Sequence, residues 1–322
     1  QSESFSVLPR IDVNGTDFPQ TQAMHEFAIL HPSALVTSEW SDNAVASPGE
    51  TKTLVVSITN DGDTELVHPQ LTFTPPSALV DAALLKSLNP EGTYKNNVLV
   101  IPVADSLEKN SSQSISLYIP IQQYPEGNEN LTLQPPLQLQ AQLPNREQPF
   151  ISKKTSPTLS IGTQLLLSSE SRYYTNEGDQ IGRGPLPPQV GEQTKYWAFI
   201  TIRNTTSKVR DVTFTAHVAP GTTWTGRTSV QKGQSISYNP TTRTISWTGG
   251  SLQAFETIGL YMELSITPES AQVDSIPTLL TNMAVQGQDT YTNQSVSRSV
   301  SELSANLAQD KKGLSKGIFV TE

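Results

Sequence analysis

Over most of this chain apolar and polar residues alternate with a period of two, and a helical period surfaces in one place only. Leu54, Val56 and Ile58 face one way while Ser57 and Thr59 face the other. Leu71 and Phe73, Val98 and Val100, then Ile115, Leu117, Ile119 and Ile121, then Leu137, Leu139 and Ala141 repeat the arrangement. A run from Phe27, FAILHPSALVTSEW, precedes them as an apolar stretch passing into alternation. Later come Tyr196, Ala198, Ile200 and Ile202, then Val212, Phe214, Ala216 and Val218, and the faultless series Ile258, Leu260, Met262, Leu264, Ile266. Such series predict half-buried β-strands. Turn formers punctuate them at Ser47-Pro48-Gly49-Glu50, Asn60-Asp61-Gly62-Asp63 and Pro220-Gly221. The one helix expected runs from Ala78 to Leu88, opened by Pro75-Pro76-Ser77 and stopped by Asn89-Pro90.

Asn239-Pro240-Thr241-Thr242 separates Ile236 and Tyr238 from Ile245 and Trp247, a hairpin signal that places these four side chains on one face, in the core. Strands joined by turns with no helix between them predict an all-β fold of two tandem antiparallel immunoglobulin-like sandwiches, the first carrying the short helix.

Two stretches read as punctuation between domains. Pro144 to Pro157, PNREQPFISKKTSP, is charged, proline-flanked and without period, as in a semi-rigid linker. Arg172 to Asn204 begins with Gly178, Gly182, Gly184, Gly191 and prolines 185, 187 and 188, then turns abruptly into a strand at Tyr196. It reads as a domain entrance that no hydrogen-bonded element crosses. The division expected is a polar extension over 1–24, sandwiches over 25–150 and 151–300, and a strand or tail over 301–322. Self-similarity supports it: Gly49-Glu50 matches Gly191-Glu192, the strand ending at Asn60 matches the one ending at Asn204, and Ile115 to Tyr118 matches Ile258 to Tyr261, at nearly constant separation.

The second half carries a more specific pattern. GPLPPQVGEQTKY, a strand, Asn204, a strand ending APGTTWTG, then SYNPTTRTISWTGGSL and the long alternating strand resemble the immunoglobulin-like tandem repeat domain of bacterial cell-surface proteins, a family of unassigned function. The pattern looks most like the membrane-anchored surface proteins of ultra-small candidate-phyla (Patescibacteria-type) bacteria. The resemblance implies an extracellular, non-enzymatic sandwich and brings no catalytic residues to carry over. It spans about Leu165 to Leu303, and the first half lacks the asparagine-proline hairpin turn.

Composition narrows the function classes. At 322 residues the chain suits about two domains. Hydrophobic residues make up 35% and charged residues 16%, so Ser, Thr, Asn, Gln, Pro and Gly fill the balance, as in extracellular β-proteins. A net charge of −9 with no offsetting basic cluster opposes nucleic acid and anionic lipid. The absence of cysteine removes disulfides, thiolate metal sites and cysteine nucleophiles, and favours a bacterial surface over an animal one. No apolar run is long enough to span a membrane, and QSESFSVLPR is not a signal peptide, so a leader or anchor is expected upstream.

Residues of chemically capable types have plainer readings. His25, His31, His68 and His217 are scattered without ligand spacing, and no G-x-S-x-G elbow occurs. Asp61-Gly62-Asp63 and Glu177-Gly178-Asp179 offer oxygen ligands to Ca²⁺, yet turn chemistry explains them equally. Trp40, Trp197, Trp224 and Trp247 would form a sugar platform if exposed together, whereas aromatics usually pack inward. An isopeptide bond, as in some bacterial surface sandwiches, would need Lys195 beside an amide such as Asn282; exposed lysine is the ordinary reading. Asn14, Asn110, Asn130, Asn204 and Asn293 head glycosylation sequons.

No catalytic residue, cofactor or metal is therefore assigned. The function expected is a non-enzymatic, extracellular structural or adhesive stalk segment of a bacterial surface protein, whose partner is a protein or glycan at a cell surface or a second copy of the chain. The alternatives are a carbohydrate-binding module and a filament subunit assembled by strand donation.

Overall fold

A computed structural model describes residues 10–19 and 30–322. Along the chain the strands are β1 (Arg10–Val13), β2 (Thr16–Pro19), β3 (Leu35–Trp40), β4 (Val45–Ala46), β5 (Thr51–Thr59) and β6 (Leu66–Phe73). After helix α1 (Ala82–Leu88) come β7 (Thr93–Lys95), β8 (Val98–Pro102), β9 (Ser106–Leu107), β10 (Ser112–Pro120), β11 (Thr132–Leu133), β12 (Pro136–Gln142), β13 (Phe150–Thr155) and β14 (Leu159–Ile161). The remainder are β15 (Leu165–Arg172), β16 (Thr194–Asn204), β17 (Val209–Val218), β18 (Thr222–Val230), β19 (Ser237–Asn239), β20 (Thr244–Leu252), β21 (Thr257–Ile266), β22 (Thr278–Asp289) and β23 (Ser295–Ser304), followed by α2 (Lys311–Leu314). They form two immunoglobulin-like sandwiches, each the centre of one compact unit.

The first unit comprises the described residues up to Asn43, Thr51–Pro120 and Gln134–Thr158. One sheet runs β10-β5-β3 and the other β13-β12-β6-β8-β7, with β9 beside β6. Leu54, Val56, Ile58, Leu71, Phe73, Leu117, Ile119, Leu137 and Leu139 are buried between them, as their alternation demands. Each such side chain contributes about 1.5–3 kcal/mol. In β8 the phase differs from expectation: Leu99 and Ile101 are buried while Val98 and Val100 are half-buried, since in a run apolar on both faces the period does not say which set points inward. Helix α1 begins later than expected because Asp81 caps it, accepting from the amides of Ala83 and Leu84. Asn89 ends it, its side chain exchanging hydrogen bonds with the backbone N–H and C=O of Tyr118 on β10.

Pro144 to Pro157 is not a linker. Phe150–Thr155 is strand β13, antiparallel to β12 from Pro136↔Thr155 to Ala141↔Phe150. It lacks apolar alternation because it is an edge strand whose Lys153 and Lys154 are exposed, a common guard against edge pairing. The N-terminal extension contains a hairpin: Ile11 pairs with Phe18 across Asn14 (φ 55°) and Gly15 (φ 80°), the positive pair that a two-residue turn needs. Of the run FAILHPSALVTSEW, Phe27 to Ile29 lie outside the described residues, and its alternating end is β3, with Val36 and Trp40 buried.

The second unit comprises Ala44–Glu50, Ile121–Leu133 and Leu159–Glu322, whereas the sequence expectation divides the chain once, near residue 150. A small sheet of order β11-β14-β4 combines all three segments. The sandwich faces β15-β16-β21-β18 against β19-β20-β17-β22-β23. Tyr196, Ala198, Ile200, Ile202, Phe214, Ile245, Trp247, Leu260, Met262 and Leu264 fill its interior. The expected hairpin forms, with Tyr238 opposite Ile245, Asn239 Oδ1 accepting from the amides of Thr241 and Thr242, and Ile236 buried. Past β23 the chain stays packed on this unit, burying Ala305, Leu307 and Val320.

The expected domain entrance lies inside this sandwich. Arg172 ends β15, the chain loops out, and Arg183 returns to exchange backbone hydrogen bonds with Lys195 on β16. Hydrogen-bonded bridges therefore cross the glycine- and proline-rich stretch, because it joins two neighbouring antiparallel strands.

The internal repeat is real but its register differs from the sequence match. Gly49 and Gly191 both sit at positive φ (81° and 75°) in equivalent turns. Asn60 donates from its side chain to the carbonyl of Leu107, and Asn204 to that of Leu252. Yet Ile115 pairs with Val56, whereas Ile258 pairs with Ile202 and Leu260 with Ile200. Ile115 is thus equivalent to Leu260. The matched tetrapeptides are slipped by one pleat, a shift that leaves every side chain on its own face and so escapes detection in an alternating sequence.

Candidate functional site

Side chains that face away from the core of the second unit converge at one place. On the outer face of the β15-β16-β21-β18 sheet, register sets Trp197 beside Arg172 on one side and Glu263 on the other. Glu263 is fully buried. Its Oε1 lies 3.2 Å from Nη1 of Arg227, which reaches in from the bulge of β18, and its Oε2 lies 4.0 Å from Nζ of Lys195 without a hydrogen bond of its own. Arg227 remains 55% exposed and Lys195 29%. Burial of a carboxylate is costly unless paired, so these cations account for its tolerance here.

The loop between β15 and β16 walls this place. Gln180, Ile181, Gly182 and Arg183, with Trp197 and Arg227, line an open recess of about 430 Å³. Tyr173 holds the loop: its hydroxyl donates to the carbonyl of Gly184 and its amide to Oδ2 of Asp310. Gly182 lies on the Tyr173 ring, where an added Cβ would stand 2.3 Å from a ring carbon. Gly184, at φ +91°, passes so close to Gln193 that a Cβ would meet its carbonyl oxygen at 2.0 Å. Burial, aided by the nearby Tyr174, raises the Tyr173 pKa above its ordinary value. The periodic pattern of β16 and β21 signals their inner faces only, so the outer row was not legible as a site.

Two other carboxylates are buried for structural ends. Asp289 accepts from the Thr163 and Tyr291 amides and from the Ser207 and Thr292 hydroxyls. Asp310 accepts from the amides of Tyr173, Tyr174 and Gly313, fastening the C-terminal segment. Four donors on one carboxylate and three on the other offset desolvation without a cation.

The tryptophans do not share a patch. Trp40 is 7% exposed and donates Nε1–H to the carbonyl of Pro157. Trp247 is buried and donates to that of Lys232. Trp224 packs against the core, stacked on Tyr238 at 5.5 Å, while Trp197 faces the other side of the same sheet. Lys195 and Asn282 stand on opposite sheets, Asn282 exposed, so no isopeptide pair is formed. Asn204 is fully buried and unavailable to glycosylation in the folded chain.

At the acidic turns two oxygens have partners within the protein. Asp63 Oδ1 accepts from the amide of His31. The carbonyl of Gly178 accepts from Nζ of Lys312, which also lies over the Tyr174 ring at 4.4 Å. His31, His68 and His217 are exposed and apart; His25 lies outside the described residues. Among the described residues no cluster of His, Cys, Asp and Glu suits a metal ion, and no helix is long and apolar enough to cross a membrane.

No family model matches the chain, and no curated protein is significantly similar to it. Solved structures similar to it include the three N-terminal domains of the type V pili tip protein Mfa5 from Porphyromonas gingivalis, at 14% identity over 32% of this chain and 22% of that one, with a TM-score of 0.25. The full-length major pilin SpaD from Corynebacterium diphtheriae matches at 10% identity over 76% of this chain and 60% of that one (TM-score 0.31). BcpA, the major pilin subunit of Bacillus cereus, matches at 8% over 84% and 69% (TM-score 0.33). The chain thus spans less than two thirds of the first two. Likeness at this level says nothing of what this chain binds.

Proposed function

We propose that this chain is a non-enzymatic structural or adhesive segment of an extracellular bacterial surface protein, its two sandwiches acting as rigid spacers. One observation carries the reading: both units close the same end of the sandwich with the same device, a buried asparagine spanning the sheets to a strand-ending leucine carbonyl. Repetition of a structural device, rather than of a reactive group, is what a spacer requires. The resemblance of the second sandwich to tandem repeats of bacterial cell-surface proteins, most like those of Patescibacteria-type bacteria, supports the setting. Extension of the full chain by atomic-force microscopy tests the reading: two separate unfolding events are expected, and featureless extension at low force would overturn it.

A second reading, self-assembly into a filament, is favoured by the N-terminal hairpin, which exposes Ile11, Val13 and Phe18. Ile11 and Phe18 lie opposite each other on one face. Sedimentation of the full chain distinguishes the two, a concentration-dependent ladder favouring the filament.

A further inference from the structure

We infer that the recess over Trp197 binds a carboxylated sugar unit of an acidic glycan, with Arg183 and Arg227 taking the carboxylate and the indole taking the ring. This goes beyond the spacer reading, which stands whether or not the recess binds anything. The volume of about 430 Å³ lies within the range of small-ligand sites. A guanidinium binds a carboxylate through two parallel hydrogen bonds, and two of them border this one opening. Glu263 fixes Arg227 from below through Oε1, while the side chain stays more than half exposed and keeps donors for a ligand. Arg183 is exposed and anchored through its backbone to Lys195, so its position is set without using its guanidinium. The lining of the opening holds two cations, Arg183 and Arg227, and no carboxylate, with Glu263 buried beneath, a locally positive place on a chain of net charge −9.

That contrast selects the ligand. An extended polyanion would meet repulsion from the rest of the chain, whereas one carboxylate close to two arginines gains at short range. Trp197 adds what a free anion does not use, an apolar aromatic surface for the C–H face of a ring.

The test is titration calorimetry of the full chain with three probes: a glucuronate-containing oligosaccharide, the same oligosaccharide with its carboxyls reduced to alcohols, and inorganic phosphate. Saturable binding of the uronate probe is expected, weaker by about ten- to a hundred-fold after carboxyl reduction, which removes charge-assisted hydrogen bonds. Arg183→Ala should reproduce that loss with an unchanged melting temperature, because the side chain is exposed. Trp197→Ala should weaken the sugar without creating phosphate affinity. Absence of saturable uronate binding, equal binding of the reduced probe, or phosphate binding as tight as the sugar would each overturn the assignment. A folded, two-unit protein with no affinity for any probe would remove the site and leave the spacer reading intact.

Discussion

Asn60 of the first unit and Asn204 of the second end equivalent strands and bind equivalent carbonyls, those of Leu107 and Leu252. Asn204 also donates to the carbonyls of Ser207 and Gln253 and accepts from the Thr163 hydroxyl. Asn204→Ala strands these buried groups at about 1–3 kcal/mol each, so a loss of about 3 kcal/mol is expected in urea unfolding. Asn204→Asp should cost more, since it turns a carboxylate toward carbonyl oxygens. A shift of the midpoint by less than about 0.5 kcal/mol for either variant would show that the clamp is ornamental.

Trp247→Ala should cost about 3–5 kcal/mol, the range for truncating a large buried aromatic. Gly249→Ala attacks the same packing from the other side, because a Cβ there would stand 2.0 Å from the Trp247 ring. Both variants should lower the melting temperature. Wild-type melting of Trp247→Ala would refute its place in the core.

Tyr196 carries a hydroxyl that is buried without a hydrogen-bond partner. Burial, with the charge of Tyr173 beside it, pushes its pKa well above the ordinary value of 10.0. A tyrosine whose folded pKa exceeds its unfolded value holds its proton longer in the native state, so stability is full below pH 10 and falls as pH rises beyond it. Tyr196→Phe should flatten that alkaline decline and leave stability at pH 7 unchanged or higher. An identical alkaline profile in the variant would assign the decline elsewhere.

Phe255 occupies the left-handed region at φ 61°, where the equivalent position of the first unit holds Asn110 at φ 59°. Its side chain is 47% exposed, so little packing offsets the strain. Phe255→Asn should stabilise the second unit by about 0.5–1 kcal/mol. Destabilisation would mean that the covered part of the ring packs well enough to outweigh the backbone strain.

Chelation by EDTA should leave the melting temperature unchanged, since Asp63 caps the His31 amide and Lys312 holds the Gly178 carbonyl. A drop of several degrees reversed by Ca²⁺ would reveal a cation at one of these turns.

The inner faces of the sheets were legible because burial imposes a period on Tyr196 to Ile202 and on Ile258 to Ile266. The edge strand β13 was not, because Lys153 and Lys154 answer to solvent rather than to a core. Asn60 and Asn204 were visible as a repeated letter, but only the structure gives the reason for it. The recess was hidden for a different cause: Arg183, Trp197 and Arg227 come from a loop, a strand and a bulge, and no spacing along the chain relates them.

Strand β14 (Leu159–Ile161) pairs in parallel with β4, Ser160 against Val45, and antiparallel with β11, while Thr51–Pro120 and Gln134–Thr158 between them belong to the first unit. In order of synthesis, Ala44–Glu50 leaves the ribosome long before its partner and must wait through an entire sandwich. Closing so long a loop costs entropy that grows only slowly with its length, but such non-local pairing slows folding. A fragment cut near Thr158 would begin with Leu159 and Ile161 stripped of both neighbours, so the second unit depends on two short segments, Ala44–Glu50 and Ile121–Leu133, made before its own sandwich.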